Sequence, residues 1–140
     1  MKGLPTLIRV RQWELEEKRR KLADLEGLAA SLDEAIARLD DEVRMEQGIA
    51  TASQEVNFAY APYAQAAIER RRTLAASLED VKLQIVAAAE EVTIAYQELK
   101  KYEVAQDNRR RRARVEANRR EQIVLDDIGI EGFRRSNTTH

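Results

Sequence analysis

Cysteine is absent from this chain, and with it any disulfide framework, thiolate nucleophile or thiolate metal site. Aromatic residues make up only 5% of the 140 positions, and five glycines and two prolines leave little material for turns, sheets or a compact globular core. Nothing approaches the run of about 18 apolar residues that a membrane span requires. The opening Met1-Lys2-Gly3-Leu4-Pro5 has no apolar signal-peptide core. A soluble, cytoplasmic setting is the expectation that follows. Histidine occurs once, at the terminal His140, with no motif around it that would make it a ligand or a base. There is no glycine-rich phosphate loop. The carboxylate pairs Asp40-Asp41, Glu90-Glu91 and Asp126-Asp127 are adjacent, so on a helix they point in different directions and form no acid–base dyad. The chain reads as a non-enzyme without metal or cofactor.

What is present is helix-forming. Ala, Glu, Leu, Arg and Lys supply just over half of the residues, the composition of long helices. From Leu4 to Val43, counting 4 and 3 alternately gives Leu4, Ile8, Arg11, Leu15, Lys18, Leu22, Leu25, Ala29, Leu32, Ile36, Leu39 and Val43. Ten of those twelve are apolar, and the positions between are mostly charged. An apolar period of 3.5 residues keeps a narrow stripe facing a partner helix, which is a coiled-coil seam. Pro5 suits the first helical turn, where its missing N–H does no harm. Past Val43 the phase is expected to slip by one residue, putting Ile49, Ala52, Val56 and Ala59 on the stripe.

Asn57 to Pro62 holds the strongest break signal, because proline disfavours helix in the residue before it and favours a helix start. The turn is expected at about 58–62. A second 4-3 series then runs from Leu74 through Leu78, Val81, Ile85, Ala88, Val92, Ala95, Leu99, Tyr102 and Gln106, turning polar at Arg109. Folding the chain back near residue 60 sets Leu39 against Val81 and Ile36 against Ile85, and the polar Arg11 against Arg109 and Lys18 against Tyr102. The expected fold is all-α: a long antiparallel two-helix coiled-coil hairpin, with helices of about 4–57 and 63–127. Residues 1–128 would form this single domain. Ile128 to Phe133 reads as a helix stop, with 129–140 a flexible C-terminal tail.

Charge is distributed unevenly although the total is −1. Residues 1–21 carry +4, 22–60 carry −7, 61–99 carry −2, 100–120 carry +6 and 121–140 carry −2. A hairpin brings both basic blocks to one end, giving a rod with a basic tip. The run Arg109-Arg110-Arg111-Arg112-Ala113-Arg114 is the sharpest local feature. It suits a solvated helix end, whose dipole favours cations. It also suits an acidic protein partner. Nucleic acid is the weaker reading, given the lack of aromatic interleaving and the acidic flanks. Trp13, off the seam beside Arg9 and Arg11, has the character of an interface anchor.

The opening Leu4-Pro5-Thr6-Leu7-Ile8-Arg9-Val10-Arg11, with Glu16-Glu17-Lys18-Arg19-Arg20, resembles the N-terminus of the FliJ family of flagellar export proteins, in its alphaproteobacterial branch. The block Phe58-Ala59-Tyr60-Ala61-Pro62-Tyr63-Ala64, then Arg70-Arg71-Arg72, Glu98-Leu99-Lys100-Lys101 and Asp126-Asp127-Ile128-Gly129-Ile130, is similar to that branch too. The resemblance implies a cytoplasmic part of the flagellar type III export apparatus, peripheral to the inner membrane at the flagellar base. It implies an antiparallel coiled coil like the γ stalk of rotary ATPases, with its paired termini in the pore of the hexameric export ATPase. A membrane export-gate protein is a second implied partner, and export chaperones a third. The tip expected to face the ATPase comprises Leu4, Ile8, Arg11, Trp13, Arg109, Arg110, Arg111, Arg112, Arg119, Arg120 and Gln122. The gate is expected nearer the middle, at Val56, Phe58, Tyr60, Tyr63, Arg70, Arg71 and Arg72. A generic structural or adaptor coiled coil and a basic-helix nucleic-acid binder stay open as alternatives.

Overall fold

The computed structural model describes residues 3–52 and 54–138, without the side chains of 54–57 and 138. Beyond Gly3, these residues form two helices, α1 (Leu4–Ala52) and α2 (Gln54–Thr138). Pro5 stands in the first turn of α1, and the Leu7 N–H donates to the Gly3 carbonyl at 2.9 Å. The chain divides into two compact units, Trp13–Tyr96 and Met1–Gln12 with Gln97–His140.

In the Trp13–Tyr96 unit, ion pairs between the helices fix their direction. Lys18 and Lys21 Nζ each lie 3.3 Å from Glu91 Oε2. Arg71 Nε donates to Asp40 Oδ1 at 2.9 Å, and its Nη2 donates to Oδ2 at 3.3 Å. As partner numbers rise along α1 they fall along α2, so the helices are antiparallel. Between them Leu15, Leu39 and Ala50 of α1 and Ala67, Leu78, Val81 and Ala88 of α2 are buried, Ala88 to 1% exposure. Leu22, Leu25, Ala29, Leu32, Ile36 and Val43, with Leu74, Ile85, Val92 and Ala95, are half-buried. The seam expected from the 4-3 count is therefore the seam observed, on both helices. It is also one-sided, because Leu28, Met45, Ile68, Leu83, Val86 and Ile94 stay exposed.

In the other unit, Ile8 and Leu99 are buried. The Arg11 guanidinium lies over Tyr102, 5.6 Å from the ring centroid. From Asp107 to Asn137 every residue is exposed.

Four expectations are corrected. The helices pair about one heptad closer to the turn than the fold-back near residue 60 requires. Asp40 meets Arg71, Lys18 meets Glu91, and Arg11 meets Tyr102 rather than Arg109. A slip of one heptad keeps apolar residues against apolar ones, so the stripe alone does not choose between registers. The charges do: the expected register sets Arg11 against Arg109 and Asp40 near Asp80, and the observed one replaces both with attractive contacts. Accordingly α1 ends at Ala52 and α2 begins at Gln54, so Phe58 to Pro62 are helical. Pro62 stands in the third turn of α2, where a missing N–H and a crowded carbonyl cost about 3 kcal/mol. Closure of the seam, with Ala50 and Ala67 both buried near the turn, outweighs that local signal.

The phase slip after Val43 does not occur. The 4-3 count continues unbroken through Glu46, half-buried, to Ala50, while Ile49, Ala52 and Ala59 are exposed; the Val56 side chain lies outside the described residues. Finally, α2 runs through Ile128–Phe133 to Thr138 instead of ending near Asp127. Glycine stops a helix by adopting a left-handed conformation. No described glycine has positive φ. His140 lies outside the described residues.

Because the buried residues among those described all belong to the seam, its members should dominate stability. Leu39→Ala should cost about 2 kcal/mol or more in urea unfolding, whereas Leu83→Ala, 71% exposed, should change it by less than about 0.5 kcal/mol.

Candidate functional site

Among the described residues, no three His, Cys, Asp or Glu side chains gather where they could hold a metal ion, and no helix is long and apolar enough to cross a membrane. The features left for function are an open basic surface in one unit and a turn-side cleft in the other.

The basic surface is built by one exposed helix. Arg111 Nη2 reaches Asp107 Oδ2 at 3.3 Å, and Arg120 Nε reaches Glu116 Oε1 at 3.4 Å. Both are pairs within α2, and both leave the chain's net +6 over residues 100–120 unchanged. Among the described residues, Arg110, Arg112, Arg114 and Arg119 carry no ion pair, so four guanidinium groups face solvent. Leu4, Pro5, Gln106, Arg109, Arg110 and Ala113 line one open cleft, so the start of α1 does meet part of the arginine run.

Other expected tip residues are scattered in role. Ile8 is buried and packs in the seam, and half-buried Arg11 is committed to Tyr102. Arg112, Arg119, Arg120 and Gln122 lie on the exposed length of α2, where Gln122 Nε2 donates to Asp126 Oδ1 at 3.2 Å. Trp13 belongs to the Trp13–Tyr96 unit and is 64% exposed. Past the arginines, Ile123, Val124, Leu125, Ile128, Ile130 and Phe133 are also exposed on α2. Treating Ile128–Phe133 as a stop concealed that apolar group; the apolar content itself was visible.

On the turn side, Phe58 is 90% exposed, and Arg70 and Arg72 are exposed. Tyr60 and Tyr63 are half-buried, with ring centroids 6.3 Å apart and ring planes tilted by 39°. They line a cleft of about 210 Å³ together with Ala59 and Glu46. Loss of water around the Tyr63 hydroxyl, and then the negative charges of Glu42 and Glu46, hold it above the ordinary phenol range. It stays a neutral donor at physiological pH. Glu46 was missed from sequence because the assumed phase slip removed it from the seam count. Arg71, expected at a gate surface, is instead engaged by Asp40.

Two carboxylates feel the interhelix cations directly. Hydrogen bonding to Arg71 holds the Asp40 carboxyl below its usual range, and hydrogen bonding to Lys18, then Lys21, does the same for Glu91.

A model of the FliJ family, described as flagellar FliJ protein, matches residues 1–138. No curated protein and no solved structure matches the chain.

Since the folded-state pKa values of Asp40 and Glu91 lie below the unfolded ones, their contribution is present above the ordinary carboxylate pKa of about 4. It is lost as pH falls through the depressed values. An acid titration followed by helicity should show that loss shifted by Arg71→Gln. The charge swap Asp40→Arg with Arg71→Asp should recover stability that either single reversal removes; no recovery would contradict the observed register.

Proposed function

This chain belongs to the FliJ family of flagellar proteins, and we propose that it serves flagellar export as a stalk-like coiled coil docked in the hexameric export ATPase. Its role lies in the flagellar export apparatus. Within that role, the basic length of α2 enters the ATPase ring and stimulates hydrolysis, and the turn-side surface around Phe58, Tyr60, Tyr63, Arg70 and Arg72 contacts the membrane export gate. The protein would then stay in the cytoplasm, held at the inner membrane through the gate, with export chaperones as further partners.

Support comes first from the exposed α2 stretch from Asp107 to Asn137, which carries four unpaired arginines followed by exposed apolar side chains. Beyond Ala113, the last residue to share a cleft with Leu4 and Pro5, the helix is presented whole to a partner. Charged residues there raise the rate of encounter with an acidic surface and fix its orientation, while the apolar residues contribute area to bury. The same stretch would suit nucleic acid less well. Acidic residues Asp107, Glu116, Glu121, Asp126, Asp127 and Glu131 interrupt it, repelling a continuous phosphate backbone.

Replacing Arg109, Arg110, Arg111 and Arg112 by Glu should abolish stimulation of the export ATPase while leaving helicity and the seam intact. Each of these side chains is exposed and none is part of the buried seam, and the Arg111–Asp107 pair adds only roughly 0.3 kcal/mol to the helix. Full stimulation by that variant would remove the docking proposal. Binding with no change in ATPase rate would favour a plain adaptor, and a steep salt dependence of DNA affinity would favour nucleic acid.

A further inference from the structure

Glu46 is out of place in the seam. The 4-3 positions around it, Leu39, Val43 and Ala50, are apolar, and a half-buried carboxylate among them calls for a cation. The chain meets that requirement at Lys18, a charged seam residue in the same unit, which pairs with Glu91 at 3.3 Å. For Glu46 it does not. Among the described residues no cation pairs with it. Arg44 is committed to Asp41 at 2.7 Å and Arg71 to Asp40 at 2.9 Å, and the exposed Arg38, Arg70 and Arg72 make no ion pair with Glu46. What Glu46 does share is a cleft with the two tyrosine rings.

We propose that the cleft formed by Glu46, Ala59, Tyr60 and Tyr63 is a receptor for an arginine side chain of a protein partner. The tilted ring pair offers aromatic faces that attract a cation, and Glu46 supplies the counter-charge at its edge. The surrounding sequence adds to the field, since residues 22–60 sum to −7. Arginine suits the site better than lysine. Its planar guanidinium stacks on a ring while donating two N–H groups to one carboxylate, and it sheds water more readily than an ammonium. A metal ion does not suit it, because one carboxylate is too small a donor set. Tyr63, held as a neutral phenol, keeps a donor hydroxyl beside the carboxylate. Where the partner is taken to be the export gate, the inference rests on the turn-side docking proposed above.

The full-length chain can be titrated with the blocked peptide acetyl-Leu-Arg-Leu-amide and with its citrulline counterpart, which keeps the shape and loses the charge. The arginine peptide should shift the Tyr60 and Tyr63 ring resonances saturably, and the citrulline peptide should bind about fivefold more weakly, as expected for loss of an exposed cation–π contact. Glu46→Gln should weaken the arginine peptide by a similar factor, with unchanged helicity. Equal binding of both peptides, or an unaffected Glu46→Gln chain, would overturn the receptor. The soluble domain of the gate protein, titrated in parallel, separates the two readings. Arginine-peptide binding without gate binding sustains the cleft and removes the gate contact. Gate binding that Glu46→Gln leaves unchanged, with no arginine-peptide response, overturns the cleft and keeps the gate contact.

Discussion

Two helices packed against each other can bury one stripe of each and no more, and the described residues offer no other core to draw on. Its buried residues, from Ile8 and Leu15 to Leu99, all lie on the 4-3 positions or, like Ala67, at the turn side of the same face. No polar side chain is buried among the described residues. Charged side chains therefore sit at the flank of the stripe, away from it, or, as Arg11, Lys18 and Glu46 do, half-buried on it. That limits which charges can matter to folding: those on or beside the stripe, such as Asp40, Arg71, Lys18 and Glu91, can reach across to the other helix. Those on outer faces reach only along their own helix, as Arg19 does to Glu16 and Arg20 to Glu17. The former favour one alignment; the latter support helix formation by a few tenths of a kcal/mol each, roughly, whatever the alignment.

The division of labour between stripe and flank explains what could be read in advance. The stripe was legible residue by residue, because a period of 3.5 leaves its mark in a single strand of sequence. Leu4 to Val43 and Leu74 to Gln106 needed no knowledge of their partner to be placed on a buried face. The alignment was not legible from the same marks. A heptad repeat maps onto itself when slid by seven, so Leu39 finds an apolar neighbour in either register. Only the polar contacts break the tie, and they were read as coincident interruptions when they are attractive pairs. Arg11 and Tyr102 are the clearest instance: each looked like a weakness of its own stripe, and together they form a contact.

Local signals misled wherever a stripe could override them. Pro62 is a strong break by itself, yet α2 already begins at Gln54 and runs through it. Gly129 and Gly132 had the spacing of a stop without the left-handed backbone that makes one. The assumed slip at Val43 had a larger consequence, since it took Glu46 out of the count. With the count unbroken, Glu46 is the acidic exception on α1, beside the basic exceptions Arg11 and Lys18, of which Lys18 shares its unit. Lys18 and Glu46 differ in how they are resolved, one within the chain and one left facing a cleft.

The remaining asymmetry lies in what supports each helix. Helices in water gain most of their stability from tertiary packing of one face, and propensity alone is marginal even for favourable sequences. Trp13 to Ala52 has such packing along its length, but α2 beyond Ala113, where the start of α1 no longer reaches, has none among the described residues, and much of its exposed length carries its own side-chain pairs: Arg111 with Asp107, Arg120 with Glu116, Arg135 with Glu131. Two glycines within that stretch each remove about 1 kcal/mol of helix propensity relative to alanine. A surface that covered Ile123, Val124, Leu125 and Ile128 would add to this stretch the packing it lacks, so docking and helix order there would be coupled. In the proposed export role, that coupling makes the ATPase ring both the partner of the basic helix and the source of its rigidity.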